Sequence, residues 1–369
     1  MTEDLLYWVW LGLLPDVGAV KARKLLSSFG TPQNIWNASQ NELMNSRFLT
    51  YKNLNCILNA EHKEYAKKCL EVATKRGIKI LTVADDDYPS YLKNIYDPPT
   101  VLYIKGNIES NEKCVAIVGS RNATMYGLEN AKNIAYELAK CGVTVVSGLA
   151  RGIDSFAHKG AINGKGRTVA VLGCGVDNIY PHENKRLAEE IEKAGAVISE
   201  YPPGTPPVPQ NFPARNRIIS GISFGTVVIE AGERSGSLIT ANFALEQGRD
   251  VFAVPGNLGS SNSVGTNKLI KDGAKMVTGI SDILDEIKWI DESGRMEFCD
   301  NFIKKQEEPM LELDDDERAI AHCLIDGPMH VDSIAYSTGL MIKDVNALLI
   351  MLELKAVVEQ LPGKMFRVE

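Results

Sequence analysis

Residues 143–175 read VTVVSGLARGIDSFAHKGAINGKGRTVAVLGCG, and they carry the clearest fold signal in the chain. The stretch contains two short valine-rich runs, Val143–Val146 and Val169–Leu172. Near-continuous apolar runs of this length are typical of strands that are covered on both faces of a sheet. A helical segment fills the gap between them. The stretch therefore predicts a strand, a crossover helix and a second strand parallel to the first.

The same alternation continues on both sides of this unit. Further strand-like runs are predicted at Val115–Val118, Ala196–Ser199, Thr226–Ile229 and Val251–Val254. Helical stretches between the strands are predicted at Leu128–Cys141, Asn184–Ala194 and Leu238–Gly248. Strands that alternate with helices predict an α/β fold with a doubly wound, mostly parallel sheet, which we expect to end near residue 287.

The segments outside this sheet have different patterns. Residues 1–65 carry helical spacing and predict a small helical domain before the sheet domain at residues 66–288. Residues 289–313 are polar and charged and predict a linker. Residues 314–369 form a separate module, in which three short helices followed by a β-hairpin give a winged-helix pattern. We expect its elements at Arg318–Leu324, Val331–Thr338, Ile342–Leu354, Val357–Leu361 and Met365–Val368.

The run Leu14-Pro15-Asp16-Val17-Gly18 is similar to a helix-hairpin-helix motif. Gly18 would turn the hairpin, and the amides of such a hairpin can hold a phosphate. The alternative is a packing turn without a ligand. We favour this alternative, because short motifs often match by chance.

Charge is unevenly distributed along the 369 residues. The formal net charge is −7, but residues 291–369 hold 17 acidic and 8 basic residues, so the first 290 residues carry +2. The overall acidity therefore leaves room for a basic pocket in the sheet domain. A content of 44% hydrophobic and 24% charged residues indicates a globular chain rather than a disordered one.

Several classes of protein are disfavoured by what the sequence lacks. The longest apolar run, Tyr7–Leu14, is shorter than the roughly 20 residues that span a bilayer, and MTEDLLYW is not the start of a secretory signal. The seven cysteines are scattered without a CxxC pair, and the five histidines form no HxxxH or HxH pattern. We therefore expect a cytoplasmic protein with reduced thiols, no metal site, no cofactor and no membrane partner.

Polar and glycine-rich segments follow the predicted strands, at the edge where open parallel sheets bind ligands. Glycine lets backbone amides approach an anion closely, and hydroxyl and guanidinium groups add donors. This predicted phosphate-binding rim consists of Gly119, Ser120, Arg121, Thr124, Gly148, Ser235, Gly236 and Ser237. It is not a dinucleotide fingerprint, because Asn178 stands where a third glycine belongs, and no GxxxxGK[ST] P-loop occurs.

Two basic segments join the rim, and each also has a structural interpretation. They are Asn184-Lys185-Arg186 and Arg215-Asn216-Arg217. Cations with serine and asparagine donors suit a phosphate backbone. Alternatively, Lys185 and Arg186 form a solvated helix face, and the two later arginines pair with Glu200 or Glu230. The structural interpretation is stronger for Arg217 than for Arg121 or Lys185.

Signals for catalysis are weaker. Asp154 and His158 are four residues apart and would share a helix face, as a proton-transfer pair does. A capping aspartate and a packed histidine explain the same spacing more simply. The acidic run Asp314–Glu317 is explained in the same way by a helix N-cap and first turn rather than by a cation site.

Together these motifs resemble the bacterial DNA-processing protein A family, DprA, also called Smf. Tyr88-Pro89 matches, and so do the stretches that follow in family order up to residue 277. These are IVGSRNATMYG, VVSGLARGIDSFAHKGAI, TVAVLGCGVDNIYPHENKRL, NFPARNRIISG, IEAGERSGSLITANFALEQGRDVFAVPG and GTNKLIKDGA. The N-terminal helices and the C-terminal module fit the family layout with weaker motifs.

The resemblance implies an extended Rossmann-like domain between an N-terminal helix-hairpin-helix or SAM-like domain and a winged-helix-like module. It implies a non-enzymatic homodimer that binds single-stranded DNA, protects it and loads the RecA recombinase onto it during natural transformation and recombination. In the family, DNA is contacted by the arginine of the GSR motif and the lysine after YPxxN, which correspond to Arg121 and Lys185. The acidic C-terminal module, with Asp344 on its recognition helix, is a departure that disfavours DNA binding there.

Two rival functions remain open at this point. One is a Rossmann-like nucleotide-binding enzyme of the nucleoside-phosphate hydrolase type. Such proteins carry a PGGxGT turn followed by a glutamate, whereas the comparable turn at residues 230–237, EAGERSGS, lacks the double glycine and the threonine. The other is a scaffold that binds DNA only incidentally.

Overall fold

A computed structural model describes residues 2–286, 314–324, 327–355, 357–361 and 363–368. The chain divides into two compact units, Met1–Trp289 and Ile290–Glu369. The predicted linker at residues 289–313 lies outside the described residues.

Six helices occupy residues 2–75 of the first unit. They are α1 (Thr2–Leu13), α2 (Gly18–Phe29), α3 (Pro32–Asn37), α4 (Gln40–Met44), α5 (Tyr51–Leu58) and α6 (Ala60–Lys75). Gly18 has a φ of +59°, a conformation that favours glycine, at the predicted hairpin turn. The helices pack around Trp10, Leu25 and Ile35, which are fully buried.

A nine-stranded sheet follows these helices. Its strands are β1 (Lys79–Thr82), β2 (Val101–Gly106), β3 (Cys114–Val118), β4 (Thr144–Ser147), β5 (Thr168–Val171), β6 (Ala196–Ser199), β7 (Gly225–Val228), β8 (Asp250–Ala253) and β9 (Lys275–Met276). Its helices are α7 (Ser90–Lys93), α8 (Met125–Lys140), α9 (Ile153–Asn163), α10 (Lys185–Ala194), α11 (Asn211–Ile222), α12 (Gly236–Glu246), α13 (Val264–Lys271) and α14 (Ser281–Leu284).

The strand order is β1-β2-β6-β5-β4-β3-β7-β8-β9. Strand β2 runs antiparallel to both β1 and β6, and all the other pairs are parallel. The six predicted parallel strands are present within one residue of the predicted bounds. The doubly wound, mostly parallel α/β sheet is thus confirmed, and the sheet contains three strands beyond the six predicted ones, β1, β2 and β9.

Both faces of the sheet are covered, as the valine-rich strands require. In β3, Val115 and Ile117 pack with α8 and α9, whereas Ala116 and Val118 pack with α11 and α12. All four side chains are buried. The alternation of strand side chains between the two faces explains why β3 has no polar residue among these four positions.

The second unit has the predicted winged-helix arrangement. Its elements are α15 (Asp315–Cys323), β10 (Met329–His330), α16 (Val331–Thr338), α17 (Ile342–Leu354), β11 (Val358–Leu361) and β12 (Met365–Val368). The strands form a sheet in the order β10-β12-β11. Asp314 caps α15 by accepting a hydrogen bond from the Glu317 amide at 2.8 Å, as the sequence predicts.

Among the described residues, no single helix is long and apolar enough to cross a membrane. Only α16 and α17 taken together pass by length and composition, and the chain bends by 109° between them.

Candidate nucleic-acid interface

A pocket of about 670 Å³ opens at the carboxyl ends of the parallel strands. Residues that follow β3 and β7 line it, together with the first turns of α11 and α12. The chain crosses to β4 on one side of β3 and returns to β7 on the other, so the strand order reverses here. Ligands bind at such a reversal point in open α/β sheets, because neighbouring loops diverge there. We call this cavity the strand-edge pocket.

Arg121 lies at the strand-edge pocket immediately after β3. Its side chain is exposed, and its guanidinium carbon lies 5.9 Å from the centre of the Phe212 ring. Within the described part of the chain, no carboxylate forms an ion pair with it. A guanidinium without a carboxylate partner keeps its donors available for a phosphate, which it can grip with two parallel hydrogen bonds.

Two aromatic rings line the same pocket, and neither was predicted from the sequence as a site residue. The Tyr180 and Phe212 ring centres are 5.6 Å apart, with 46° between the ring planes. Tyr180 is 42% exposed. Exposed aromatic faces beside a cation provide a stacking surface for nucleic-acid bases. Tyr180 and Phe212 are 32 residues apart, so the sequence gives no sign that the two rings are in contact.

Arg234 is a further lining residue that the prediction missed. It is exposed and lies in the turn between β7 and α12. Its position inside a turn of glycine and serine residues could have identified it as a site residue from the sequence. With Arg121 and Arg215, it gives the pocket lining three arginines against one carboxylate, that of Asp154.

The first turn of α12 brings four predicted site residues together. Ser235 caps the helix by accepting a hydrogen bond from the Ser237 amide at 3.4 Å, and the two hydroxyl oxygens are 2.8 Å apart. The Asn216 side-chain amide donates to the Gly236 carbonyl at 3.4 Å. All four residues line the strand-edge pocket. The positive end of the α12 dipole and its hydroxyl groups favour an anion at this position.

Arg215 forms the buried floor of the pocket. It is 4% exposed and donates from one terminal nitrogen to the carbonyl oxygens of Gly148, at 2.9 Å, and Val171. Burial lowers the pKa of Arg215 to about 10, although the nearby Asp154 carboxylate opposes this shift. These contacts fit the structural interpretation of Arg215, with carbonyl groups as partners instead of the expected glutamates.

Asp154, which lines the pocket, and His158, one turn further along α9, are also buried. The Asp154 carboxylate accepts hydrogen bonds from the amides of Gly148, at 3.1 Å, and Ala150, at 3.3 Å. His158 Nδ1 lies 2.7 Å from the Thr168 hydroxyl, and burial lowers the pKa of the imidazole to about 3. The expected packed histidine is therefore present, but the expected helix cap is wrong: Gly152 is the N-cap of α9, and the Asp154 carboxylate instead stabilises the loop after β4.

Two predicted glycines are required by close packing. A Cβ atom on Gly148 would lie 2.7 Å from the Arg215 guanidinium, and one on Gly119 would lie 2.6 Å from the Ile153 side chain. Contacts this short force a shift of the backbone or of the neighbour. Gly148 lies in a small cavity of about 40 Å³ that also adjoins Arg121, whereas Gly119 and Ser120 line the strand-edge pocket itself.

Thr124 lies outside the strand-edge pocket and connects the loop after β3 to the loop after β7 through hydrogen bonds to Glu230. The Thr124 amide donates to the Glu230 carboxylate at 2.9 Å, and its hydroxyl donates to the other oxygen of the same group. The Ser120 amide donates to the Glu230 carbonyl at 2.8 Å. Glu230 is 3% exposed, so the loops after β3 and β7 are joined by buried hydrogen bonds.

Three other predicted residues also lie outside the lining of this pocket. Arg217 pairs with Glu200 at 2.5 Å and with Asp97 at 3.2 Å. The Asn184 side-chain amide donates to the Leu149 carbonyl and the Ser155 hydroxyl, both at 2.9 Å. Lys185 is exposed at the start of α10. Of these three, only Lys185 presents an unengaged charge within the described structure.

Comparison with known proteins agrees with this architecture. The profile of the family described as DNA recombination-mediator protein A matches residues 79–288. The chain belongs to this family. A second profile, the DprA winged helix domain, matches residues 304–364. Membership in the DNA recombination-mediator protein A family gives the chain a role in DNA processing and recombination.

Relatives in this family cover much of the chain. Protein Smf of Synechocystis is 34% identical over 98% of both chains. The DNA processing protein DprA of Bacillus subtilis is 45% identical over 60% of this chain and 75% of its own. Family resemblance therefore extends through the helical N-terminus as well as the sheet.

Two solved structures are similar in fold. DprA from Streptococcus pneumoniae superimposes with a TM-score of 0.67 and 34% identity, covering 78% of this chain and 99% of its own. DprA from Helicobacter pylori, whose structure was described for its single-stranded DNA binding mode, gives a TM-score of 0.52 and 31% identity. That match covers 57% of this chain and 95% of the Helicobacter chain.

Proposed function

We propose that the protein binds single-stranded DNA in the strand-edge pocket and delivers it to the RecA recombinase. The observation that carries this proposal is Arg121, an exposed guanidinium beside the Phe212 ring without a carboxylate partner among the described residues. A phosphate and a neighbouring base are the two groups that this pair suits together. The Helicobacter relative's reported binding mode supports the same ligand class.

The pocket divides the contacts between phosphate and base. Arg121, Arg234, Ser235 and the first turn of α12 supply donors for phosphate oxygens. Phe212 and Tyr180 supply stacking faces that accept any base. No recognition helix for a duplex groove is part of this lining, so binding is sequence-tolerant and favours single strands. Lys185, exposed at the start of α10, extends the predicted track beyond the pocket.

The remaining parts of the proposal concern assembly and chemistry. We propose a homodimer that protects incoming DNA during transformation and recombination, a role that the recombination-mediator family name supports. We also propose that it is not a catalyst. Asp154, the carboxylate of the pocket lining, is committed to backbone amides, and the neighbouring His158 is fully buried. Neither group is placed to exchange a proton with a bound nucleotide.

An oligonucleotide titration tests the central claim. Single-stranded and duplex oligonucleotides of equal length are titrated at two salt concentrations, with fluorescence anisotropy as the readout. We expect tighter binding to the single strand, and affinity that falls with salt by about 0.7 log units per neutralised phosphate and tenfold change in salt. Equal or tighter binding to the duplex would contradict the proposal. Release of ribose phosphate from nucleotides would instead favour the hydrolase alternative.

The second unit is proposed to bind protein rather than DNA. Its helix α17 exposes Ile342, Ile350 and Met351, and its cation Lys343 is followed by Asp344. Lys355, next to the helix end, is already engaged by Glu317 at 2.6 Å. An apolar face on an acidic module is suited to a protein partner, because duplex DNA repels negative charge.

A further inference from the structure

A second groove lies on the N-terminal helices, outside the strand-edge pocket. It has a volume of about 380 Å³ and is formed by α2, Phe48 and the loop before β2. Two cations, Arg23 and Lys24, and two aromatic rings, Phe48 and Tyr96, line it together with Ser27. No described carboxylate belongs to the lining. We call this surface the N-terminal groove; it does not include the predicted hairpin at residues 14–18.

Each cation of the N-terminal groove is next to one ring. The Arg23 guanidinium carbon lies 5.9 Å from the Tyr96 ring centre, and Lys24 Nζ lies 5.9 Å from the Phe48 ring centre. Both distances are at the outer limit of a cation–π contact, about 6 Å, so the rings hold the cations only weakly. Neither cation forms an ion pair with a carboxylate in the described structure. Both therefore remain available to an anionic ligand.

Tyr96 is exposed to an extent that the fold does not require. Its side chain is 74% exposed, whereas Ile95 beside it is buried. The loop thus anchors itself through Ile95 and leaves the tyrosine ring free. An exposed ring next to unpaired cations has the composition of a surface that binds single-stranded nucleic acid, in which bases stack and phosphates meet cations. An acidic peptide would pair with the two cations but would have no base to stack on the aromatic rings.

The N-terminal groove is linked to the strand-edge pocket through α11. Asp97, which follows Tyr96, pairs with Arg217 at 3.2 Å. Arg217 follows Asn216, which lines the pocket, and it lies five residues from Phe212, a rise of about 7.5 Å along the helix. The ion pair also neutralises Asp97, the carboxylate nearest in sequence to Tyr96. The loop that carries Tyr96 is thus joined to α11 by a neutralised ion pair and presents no unpaired negative charge at this point.

We propose that the N-terminal groove is a second contact for the same DNA strand, engaged only when the strand is longer than the strand-edge pocket. Arg23 and Lys24 bind backbone phosphates, and Tyr96 stacks on a base. This inference rests on the proposed function, because it requires the strand to enter the pocket first. It adds a length dependence that the pocket alone does not give.

The test compares two oligo-dT lengths on the full chain, about 6 and about 20 nucleotides, at several salt concentrations. The variant is Arg23→Ala/Lys24→Ala, and the matched control is Lys67→Ala/Lys68→Ala on α6, which removes the same charge outside the groove. For the long oligonucleotide we expect the groove variant to reduce the salt slope by about 1.4, which corresponds to two phosphate contacts. The short oligonucleotide should bind both variants like the unaltered protein.

A second pair of variants tests the ring without changing charge. Tyr96→Ala should lower the affinity for the long oligonucleotide about tenfold, and Tyr96→Phe should restore it, because a phenyl ring still stacks. If the groove variants bind the long oligonucleotide as the Lys67/Lys68 control does, the inference is wrong, whatever else the groove binds. Equal losses for both lengths would also overturn it. If the unaltered protein binds neither oligonucleotide, the proposed function is wrong. If it binds both but the groove variants show no effect specific to the long one, only the inference about the N-terminal groove is wrong.

Discussion

The Arg215 guanidinium lies directly under Gly148 and donates to its carbonyl oxygen at 2.9 Å. A side-chain carbon at residue 148 would lie 2.7 Å from that guanidinium, so the glycine and the arginine require each other. The pair connects α11 to the end of β4 under the strand-edge pocket. Arg215 is therefore a buried structural cation, whereas Arg121 and Arg234, the other two arginines of the pocket lining, are exposed to solvent.

We expect Arg215→Ala to destabilise the fold by about 3 kcal/mol or more, because it leaves two buried carbonyl groups without this donor and removes the buried cation that offsets the Asp154 charge. Arg121→Ala is the matched comparison and should change the free energy of unfolding by no more than about 0.5 kcal/mol. Urea unfolding followed by circular dichroism measures both. A stable Arg215→Ala protein that binds DNA poorly would make Arg215 a ligand contact instead.

Arg121→Ala and Lys185→Ala should each weaken single-stranded DNA binding and reduce the salt slope by about 0.7, because each removes one phosphate contact. Lys132→Ala is the control, since Lys132 is exposed on α8 outside the pocket lining. The measurement is the dissociation constant at several salt concentrations. Unchanged affinity in both variants would place the DNA elsewhere.

Phe212→Leu should weaken binding by about 1–3 kcal/mol, the usual contribution of one base stacked on an aromatic ring. Phe212→Tyr keeps the ring and should retain most of the affinity. Unlike the loss of Arg121, the loss of the ring leaves the salt slope unchanged, because stacking releases no counterions. An anisotropy titration over a salt series separates the two effects. A reduced slope in Phe212→Leu would mean that the ring acts mainly by positioning Arg121.

Stability should fall as the pH decreases from about 6.5 towards 3. The unfolded imidazole takes up a proton near pH 6.5, whereas burial lowers the pKa of His158 to about 3 in the folded protein. The unfolded state then binds more protons, so the free energy of unfolding declines by up to about 1.4 kcal/mol per pH unit. Asp154 has the opposite effect on the free energy of unfolding. Burial raises its pKa in the folded protein above the ordinary value of 3.8, so between these two pKa values the folded state binds more protons and stability increases as the pH falls.

The matching measurement is urea unfolding across this pH range. His158→Gln should flatten the dependence, and His182→Gln, at an exposed histidine, should leave it unchanged. If His158→Gln retains the full slope, the carboxyl groups of the protein cause it.

A protein shortened to end at Trp289 should keep most of its affinity for single-stranded DNA. Residues 291–369 carry a net charge of −9, and the described part of α17 exposes apolar side chains. Binding of the shortened and full-length proteins to the same oligonucleotide provides the comparison. Near-complete loss of binding in a folded, dimeric shortened protein would show that the winged-helix unit belongs to the DNA site.

The sequence predicted the parallel strands within one residue because β3 to β8 are valine-rich and covered on both faces. It did not predict β2, whose VLYIKG segment follows two prolines and pairs antiparallel with the preceding strand β1 and with the distant strand β6. The phosphate-binding rim was also predictable, because its glycine and serine turns directly follow the strands in the sequence. The Tyr180–Phe212 contact and the pairing of Arg217 with Asp97 are tertiary, so no spacing rule reveals them.

Glu230 has a consequence for the cost of binding. Its backbone and carboxylate join the loop after β3 to the loop after β7, the two sides of the strand-edge pocket. Walls held in this way need no ordering when the ligand arrives, so little conformational entropy is lost on the protein side. The entropic penalty then falls on the flexible nucleic acid. Affinity should therefore increase when the strand itself is already extended, for example under tension.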